Sequence, residues 1–441
     1  MPNNTLRRRR ARHDEVVDGP GRRLFLRLAV LSPLVISGTG CVPRAQTDTS
    51  ASARFTFPPE WASHDAVWLG WSHDSAHHKL QVEIARALAP TVPVRILVKS
   101  DGAREQARAA LAAAGVPSNR VDFFTHPVSN TWIRDTGPRF LSDGRNLAVA
   151  DFAWNWYGYP EEMSRQWPTP APIDNDLAGK LGLKVVSSAI VAEGGALDVS
   201  TSVILTYRQT ALQRNPGVPI EEIEAEYLRV YGKERVLWLS RSPLGDLVTD
   251  RPKIANYVGW GANGHIDEYV RFVNDSTIVV AQIDPSERDD NPLTRADHDI
   301  LAENLAELRR AVNVDGRPFQ VVTLPVSALR YHVRTRAVTE GDKASALGRV
   351  VLRTFAVGDE VHFVPALSYL NFVISNGVVL VPAYWRQGLP EREREKDEEV
   401  RATLQRLFPD RRVVQIQPLS INWDGGGMHC ITQQQPSTRG R

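Results

Sequence analysis

From Phe55 onward the chain alternates between short continuous apolar runs and stretches in which apolar residues recur every three or four positions. The runs at 66–71, 94–98, 203–205, 277–283, 321–326, 377–383 and 413–416 predict strands. Helices are predicted where Leu301, Leu305, Leu308 and Val312 share a face, and where Val400, Leu404 and Leu407 do. The charged stretch 391–399 leads into the second of these and reads as the solvated face of a helix. Helical patterns at 82–88 and 104–113 complete the set, and the alternation makes this an α/β chain. A length of 441 residues suits two or three domains, or one large domain built from repeats. No glycine-rich loop of the G-x-G-x-x-G or Walker type is present, so nucleotide binding is not supported.

Composition changes this picture little: 42% hydrophobic and 24% charged residues suit a soluble globular protein with a large core. Charge placement changes it more. Residues 1–40 hold eight arginines against Asp14, Glu15 and Asp18, a local +5 within a formal +2, which leaves −3 for the rest. A mildly acidic body argues against a nucleic-acid partner. In the basic start, Arg22-Arg23-Leu24-Phe25-Leu26-Arg27 is followed by an apolar run at 28–36, small residues and Cys41. This is the pattern of a bacterial export signal, resembling the twin-arginine type, and its apolar run is too short to span a bilayer. Residues 1–41 are therefore read as the signal, 42–54 as a linker and 55–441 as the folded body. Cys41 is either the lipid-bearing first residue of a mature lipoprotein, which would attach the chain to a membrane, or a residue near a simple cleavage site. Either way the body keeps one cysteine, Cys430, which cannot form an internal disulfide.

Four short stretches place charged groups beside Gly, Trp or Pro: Trp132-Ile133-Arg134-Asp135-Thr136-Gly137-Pro138, Glu193-Gly194-Gly195, Gly264-His265-Ile266-Asp267, and Asp424-Gly425-Gly426-Gly427-Met428-His429-Cys430. Taken singly, each has an ordinary reading: an ion pair under an aromatic lid, a plain turn, a strand end with a satisfied histidine, a buried thiol. Among their groups are one nucleophile, Cys430, the imidazole of His265 and the three carboxylates of Asp135, Glu193 and Asp267. A zinc site could draw on His265, Asp267, His429 and Cys430. A papain-like protease would use Cys and His but has no evident need of three carboxylates. Several carboxylates around a thiol favour a cationic substrate, since they can hold a guanidinium by paired charge-assisted hydrogen bonds.

At these residues the chain resembles the agmatine deiminase and Porphyromonas-type peptidylarginine deiminase family. The matching segments are WIRDTGP, EGG, GHIDEYVRF and GGGMHCITQQQP, in the family's order. Pro59-Glu60-Trp61, Arg214-Asn215-Pro216 and Ser368-Tyr369-Leu370-Asn371-Phe372 add to the likeness, which covers about residues 55–436. The resemblance implies a five-bladed α/β propeller (pentein) with pseudo-fivefold symmetry around a central site. It implies that Cys430 attacks the guanidinium carbon and that His265 is the general acid and base. Asp135 and Asp267 would grip the guanidinium nitrogens, Glu193 would add a further carboxylate, and no metal or organic cofactor is implied. The products would be a ureido group and ammonia.

The substrate divides the resemblance. Agmatine deiminases usually carry Asn-Asp before Thr-Trp, where this chain has Ser129-Asn130, and acidic residues before Gly-His, where it has Trp260-Gly261-Ala262-Asn263. Tyr207-Arg208-Gln209 stands where Thr-Glu is common. Against this, the stretch 151–158, DFAWNWYG, resembles an aromatic segment of agmatine deiminases and holds no arginine for an α-carboxylate. Trp132 and Trp156 are the candidate aromatic walls of the binding site. Agmatine is the expected substrate, with a peptide or protein arginine side chain as the alternative and a non-catalytic binding module as the third reading.

Overall fold

The computed structural model describes residues 54–128, 131–159, 173–248 and 252–438. The stretch read as an export signal with Cys41, the one read as a linker up to residue 53, and Ser129-Asn130 lie outside the described residues. Among those described, no helix is long and apolar enough to cross a membrane.

One unit of chain recurs. Strand β4 (Arg139–Ser142) pairs antiparallel with β5 (Leu147–Ala153), and a segment containing the helix Ile173–Leu181 returns the chain to β6 (Lys184–Val191), parallel to β5. The same order joins β7 (Leu197–Val199), β8 (Val203–Tyr207) and β9 (Arg235–Leu239), with helices Arg208–Arg214 and Ile220–Tyr231 in the crossover. It recurs in β11 (Val270–Asn274), β12 (Thr277–Gln282) and β13 (Gln320–Pro325) around the helix Pro292–Arg310. It appears again in β16 (Val373–Ser375), β17 (Val378–Pro382) and β18 (Arg412–Ile416) around Glu391–Leu407. The fifth case joins the two ends of the described chain. Strand β19 (Thr432–Pro436) pairs antiparallel with β1 (His64–Gly70), and β2 (Val94–Val98) and β3 (Val121–Thr125) follow in parallel beyond the helices His78–Leu88 and Asp101–Ala113. A sixth sheet lies outside this series: β10 (Tyr257–Trp260), β15 (Glu360–Pro365) and β14 (Arg334–Ala337).

The middle strand of each unit is covered on both faces, which is why it reads as an unbroken apolar run. All of β8 and β17 is buried, as is nearly all of β1 and β12. These are the strands predicted at 203–205, 377–383, 66–71 and 277–283. The middle strand β5 escapes the pattern because Asp151 interrupts it and three of its residues are only half-buried. Of the helices, Pro292–Arg310 stops short of Val312, which instead bridges to Pro318.

One expectation fails. The stretch 391–399 is not simply a solvated face, because Glu393, Lys396 and Asp397 are buried. Lys396 donates to Glu287 at 2.7 Å and Glu393 at 2.9 Å, while Asp397 accepts from the Tyr369 hydroxyl at 2.6 Å and the Tyr384 amide at 3.0 Å. Partners distant in sequence let charged residues turn inward, and a local charge pattern carries no sign of them.

Candidate active site

Each unit presents a polar residue just before its first, short strand. Asp135 sits in the turn Ile133–Thr136 ahead of β4, and Glu193 precedes β7. Asp267 lies in the turn Ile266–Glu268 ahead of β11, Asn371 stands two residues before β16, and Cys430 two residues before β19. Groups separated by up to 295 residues thereby meet.

His265 is fully buried among carboxylates. Its Nδ1 lies 4.0 Å from Asp135 Oδ1 and 3.9 Å from Asp267 Oδ1, and its Nε2 is 3.8 Å from Glu193 Oε2. Burial alone would push the imidazole down, but Asp135, then Glu193 and Asp267, hold it up at about 9. The Cys430 sulfur, 1% exposed, is 3.6 Å from Asp267 Oδ2 and 3.7 Å from Glu268 Oε1. Burial raises the thiol well above its usual range, and Asp267, Glu268 and Asp135 raise it further.

The carboxylates are each fixed from behind. Asp135 accepts from the Gly195 amide at 2.9 Å and the Tyr157 hydroxyl at 3.0 Å, and burial lifts it above the ordinary carboxylate range. Glu193 accepts from Arg214 Nε at 2.8 Å; burial opposes its charge, yet Arg214 brings it down to about 2. Asp267 Oδ2 accepts from His429 Nδ1 at 2.7 Å, and that contact outweighs burial and keeps Asp267 below its usual range. The other ring nitrogen of His429 faces Glu60 Oε2 at 2.9 Å. Glu60 is held in turn by Arg271 and by the Ile374 amide at 2.7 Å. The loop carrying His265 hangs on Asp246, which accepts from the amides of Ala262, Gly264 and His265 at 3.0, 2.6 and 3.0 Å.

Two glycines permit the crowding. A Cβ on Gly195 would stand 2.5 Å from His265 Nδ1, and one on Gly426 would stand 2.9 Å from the Trp132 ring and 3.0 Å from the Cys430 sulfur. Several buried acceptors in the cluster have no hydrogen-bond partner: Glu193 Oε2, Asp267 Oδ1 and Glu268 Oε2. Anionic acceptors left open around a thiol suit a planar cation with several N–H donors.

All five groups anticipated from the sequence, Asp135, Glu193, His265, Asp267 and Cys430, come together in this cluster. The Trp132 ring and the sulfur both border Gly426, where an added Cβ would meet them at 2.9 and 3.0 Å. Trp156 packs edge-on against Trp154 at 6.0 Å, and it is the neighbouring Tyr157 whose ring meets His265 at 5.5 Å. The zinc set is not assembled: both nitrogens of His429 face carboxylates, so no lone pair of that ring points toward Cys430. Nor does the thiol–imidazole pair of a papain-like site emerge, since the groups against the sulfur are carboxylates and an amide. Sequence reasoning assigned no role to Glu268, Asn371, Tyr157, Arg214, Asp246 or Glu60. Five of these stand inside the quoted segments, so the available signal was membership of those segments, joined for Glu268 and Tyr157 by adjacency to Asp267 and Trp156.

The chain is similar to known proteins over most of its length. The family described as Porphyromonas-type peptidyl-arginine deiminase matches residues 56–436. A Streptomyces coelicolor protein provisionally named agmatine deiminase is 31% identical over 398 residues, covering 87% of this chain and 99% of the relative. The agmatine deiminase of Ectopseudomonas mendocina is 27% identical, covering 89% of this chain and 99% of its own length. A crystal structure from Porphyromonas gingivalis, provisionally titled an arginine deiminase, aligns with a TM-score of 0.63 at 27% identity, over 87% of this chain and 99% of the other.

Proposed function

The chain belongs to the Porphyromonas-type peptidyl-arginine deiminase family, and from that premise we propose that it hydrolyses a carbon–nitrogen bond of a guanidine through a covalent intermediate on Cys430. The observation that carries this reading is the buried sulfur at 3.6 Å from Asp267, beside the open acceptor oxygens of Glu193, Asp267 and Glu268. A guanidinium seated there pairs its N–H groups with those oxygens and presents its carbon to the sulfur. Fixing a poor electrophile in line with its nucleophile can contribute roughly 7–11 kcal/mol.

The steps follow from the proton positions. The Cys430 thiolate adds to the guanidinium carbon, and protonated His265 gives its proton to the departing nitrogen, which leaves as ammonia. Neutral His265 then takes a proton from water as the water oxygen adds to the same carbon. Collapse expels the thiolate, the hydroxyl proton passes to the released ammonia as ammonium, and a ureido group is left. The cation also offsets the carboxylates that hold the thiol up, so substrate binding assists ionisation of the sulfur.

Agmatine, giving N-carbamoylputrescine, is the preferred substrate. The site is deeply buried behind Trp132 and Tyr157. The buried Arg214 is committed to Glu193 and to the Ala262 and Asn263 carbonyls, so it is not offered to a substrate carboxylate. A peptidyl arginine is the second reading, favoured by the export signal in residues 1–41. In the same proposal the five units form a five-bladed propeller with pseudo-fivefold symmetry, supported by their shared strand order. Export by the twin-arginine route is tested by replacing Arg22 and Arg23 with lysine and following the chain's compartment.

Purified protein incubated with agmatine, free arginine and an arginyl peptide, assayed for ureido product and ammonia, decides the substrate. Agmatine is expected to show the highest kcat/KM. Preference for the peptide transfers the activity to protein arginine, and no turnover of any guanidine overturns the reading.

A further inference from the structure

The chain that leaves β5 is built against its local preference. Trp156 and Tyr157 both lie in the left-handed region, each at φ 59°. A turn with two such residues at its centre is normally made of Gly, Asn or Asp, and bulky aromatic side chains are strained there. Bonds to other parts of the chain hold the turn in place. Asn155 Oδ1 accepts from the Gly158 amide at 2.9 Å, and Asn155 Nδ2 donates to the Arg214 carbonyl at 3.0 Å. Asn263 Nδ2 donates to the Tyr157 carbonyl at 2.9 Å, and the Tyr159 hydroxyl donates to the Gly261 carbonyl at 3.3 Å. Asn263 is left-handed too, at φ 61°. Residues 155–159 are thereby clamped to the loop that carries His265. The clamp places one side chain: the Tyr157 ring meets His265 at 5.5 Å, and its hydroxyl donates to Asp135 Oδ2 at 3.0 Å. Backbone strain kept by surrounding contacts points to a use for the residue so held.

We propose that Tyr157 is a positioning residue of the guanidine site, whose hydroxyl, delivered by the strained turn, keeps Asp135 ionised and oriented to receive the guanidinium.

The surroundings of Asp135 explain why a donor is needed there. Asp135 is buried, with Asp267 from the Ile266–Glu268 turn and Glu193 from the segment before β7 opposing its charge. The Cys430 thiol also faces it, and His265 and Arg134 favour its ionised form. A protonated Asp135 would lose an acceptor that a guanidinium requires. The Gly195 amide serves Oδ1 at 2.9 Å, and the Tyr157 hydroxyl is the donor on Oδ2. A carboxylate oxygen has two lone pairs, so Oδ2 keeps one for the substrate. Tyrosine suits the task because it does not surrender its proton: burial and Asp135 push the Tyr157 hydroxyl well above its usual range.

Because this role rests on the guanidine reading of the site, binding is measured as well as turnover. Tyr157→Phe keeps the ring against His265 and deletes only the hydroxyl. Its kcat/KM is expected to fall roughly 10- to 100-fold, the worth of one hydrogen bond to a charged group, mostly through KM. The acid limb of kcat/KM is expected to move to higher pH, since Asp135 without its donor takes up a proton more readily. Calorimetry in a Cys430→Ala background, with agmatine and an arginyl peptide as probes, should show guanidine affinity reduced by the same factor. Asn263→Gly tolerates the left-handed backbone while cutting the bond to the Tyr157 carbonyl, and should reproduce both changes at smaller size. It carries the test should Tyr157→Phe fail to fold. Unchanged guanidine affinity in Tyr157→Phe overturns the proposal, as does an unmoved acid limb. Weaker binding in a protein that turns over no guanidine upholds Tyr157 while removing the deiminase reading. Failure of Cys430→Ala with Tyr157 intact to bind either probe overturns both.

Discussion

Arg214 Nε donates to Glu193 Oε1 at 2.8 Å, with the two side chains 1% and 0% exposed. The pair sits directly behind His265, whose Nε2 is 3.8 Å from the other oxygen of the same carboxylate. A structural ion pair and the candidate general acid therefore share one group.

Removing one partner of such a pair leaves a buried charge and costs about 3–5 kcal/mol. Arg214→Met is expected to lower the free energy of urea unfolding by that amount at neutral pH. The sign of the pH dependence follows from Glu193, which is depressed from 4.5 to about 2, against the push of burial, chiefly by Arg214. The pair's contribution is present above the unfolded value of 4.5 and is lost as pH falls toward about 2. The gap between Arg214→Met and the unaltered protein should narrow on acidification, and a gap independent of pH contradicts the linkage.

His265 carries the opposite sign. Its folded value lies at about 9, above the ordinary 6.5, so its contribution to stability is complete below 6.5 and disappears as pH rises through about 9. Activity that needs the protonated imidazole should fall over the same alkaline range, visible as a limb in kcat/KM against pH. Burial works against protonation here and Asp135 is the largest favourable cause, so Asp135→Asn should move that limb toward neutrality. An unmoved limb assigns it to another group.

Cys430→Ala is expected to abolish ammonia release while leaving the fold intact. The sulfur lies 3.2–3.7 Å from Asn371 Nδ2, Asp267 Oδ2 and Glu268 Oε1, while the loop is anchored through His429, whose amide donates to Asn371 Oδ1 and whose ring faces Asp267 and Glu60. Rapid quench of the unaltered enzyme with substrate should reveal a mass increase on the peptide containing Cys430. Residual turnover in the alanine variant would show that the sulfur is not the nucleophile.

Gly195→Ala tests geometry rather than chemistry. The added methyl would lie 2.5 Å from His265 Nδ1 and 3.0 Å from Asp267 Oδ2, so the imidazole must shift. A displacement of this order can cost about 10²-fold in rate. The variant should melt near the unaltered protein while kcat falls by roughly that factor. Full activity would mean the crowding at His265 is relieved without consequence.

Much of the fold was legible in the chain because burial on both faces turns a strand into a continuous apolar run. This exposed β1, β8, β12 and β17, whereas β5 was hidden by Asp151 and β7 and β16 by their length of three residues. The catalytic candidates were legible for a related reason. Carboxylates and a thiol placed beside glycines, as in Glu193-Gly194-Gly195 and Gly426-Gly427, mark backbone that must come close to something. Tyr157 and Arg214 were quoted but left without a role, since nothing local shows that one will bond Asp135 and the other Glu193.

The sequence by itself determined the elements, their α/β alternation and the residue types available for chemistry, because periodicity and local backbone preference act over a few positions. Only the tertiary structure decided that five separate strand entrances converge and that Asn371 faces the sulfur. It also decided that His429 spans Asp267 and Glu60, and that Lys396 turns inward to Glu287. Contacts of this kind join residues tens to hundreds of positions apart. Their free energy depends on distance and desolvation in space, which no local pattern in the chain encodes.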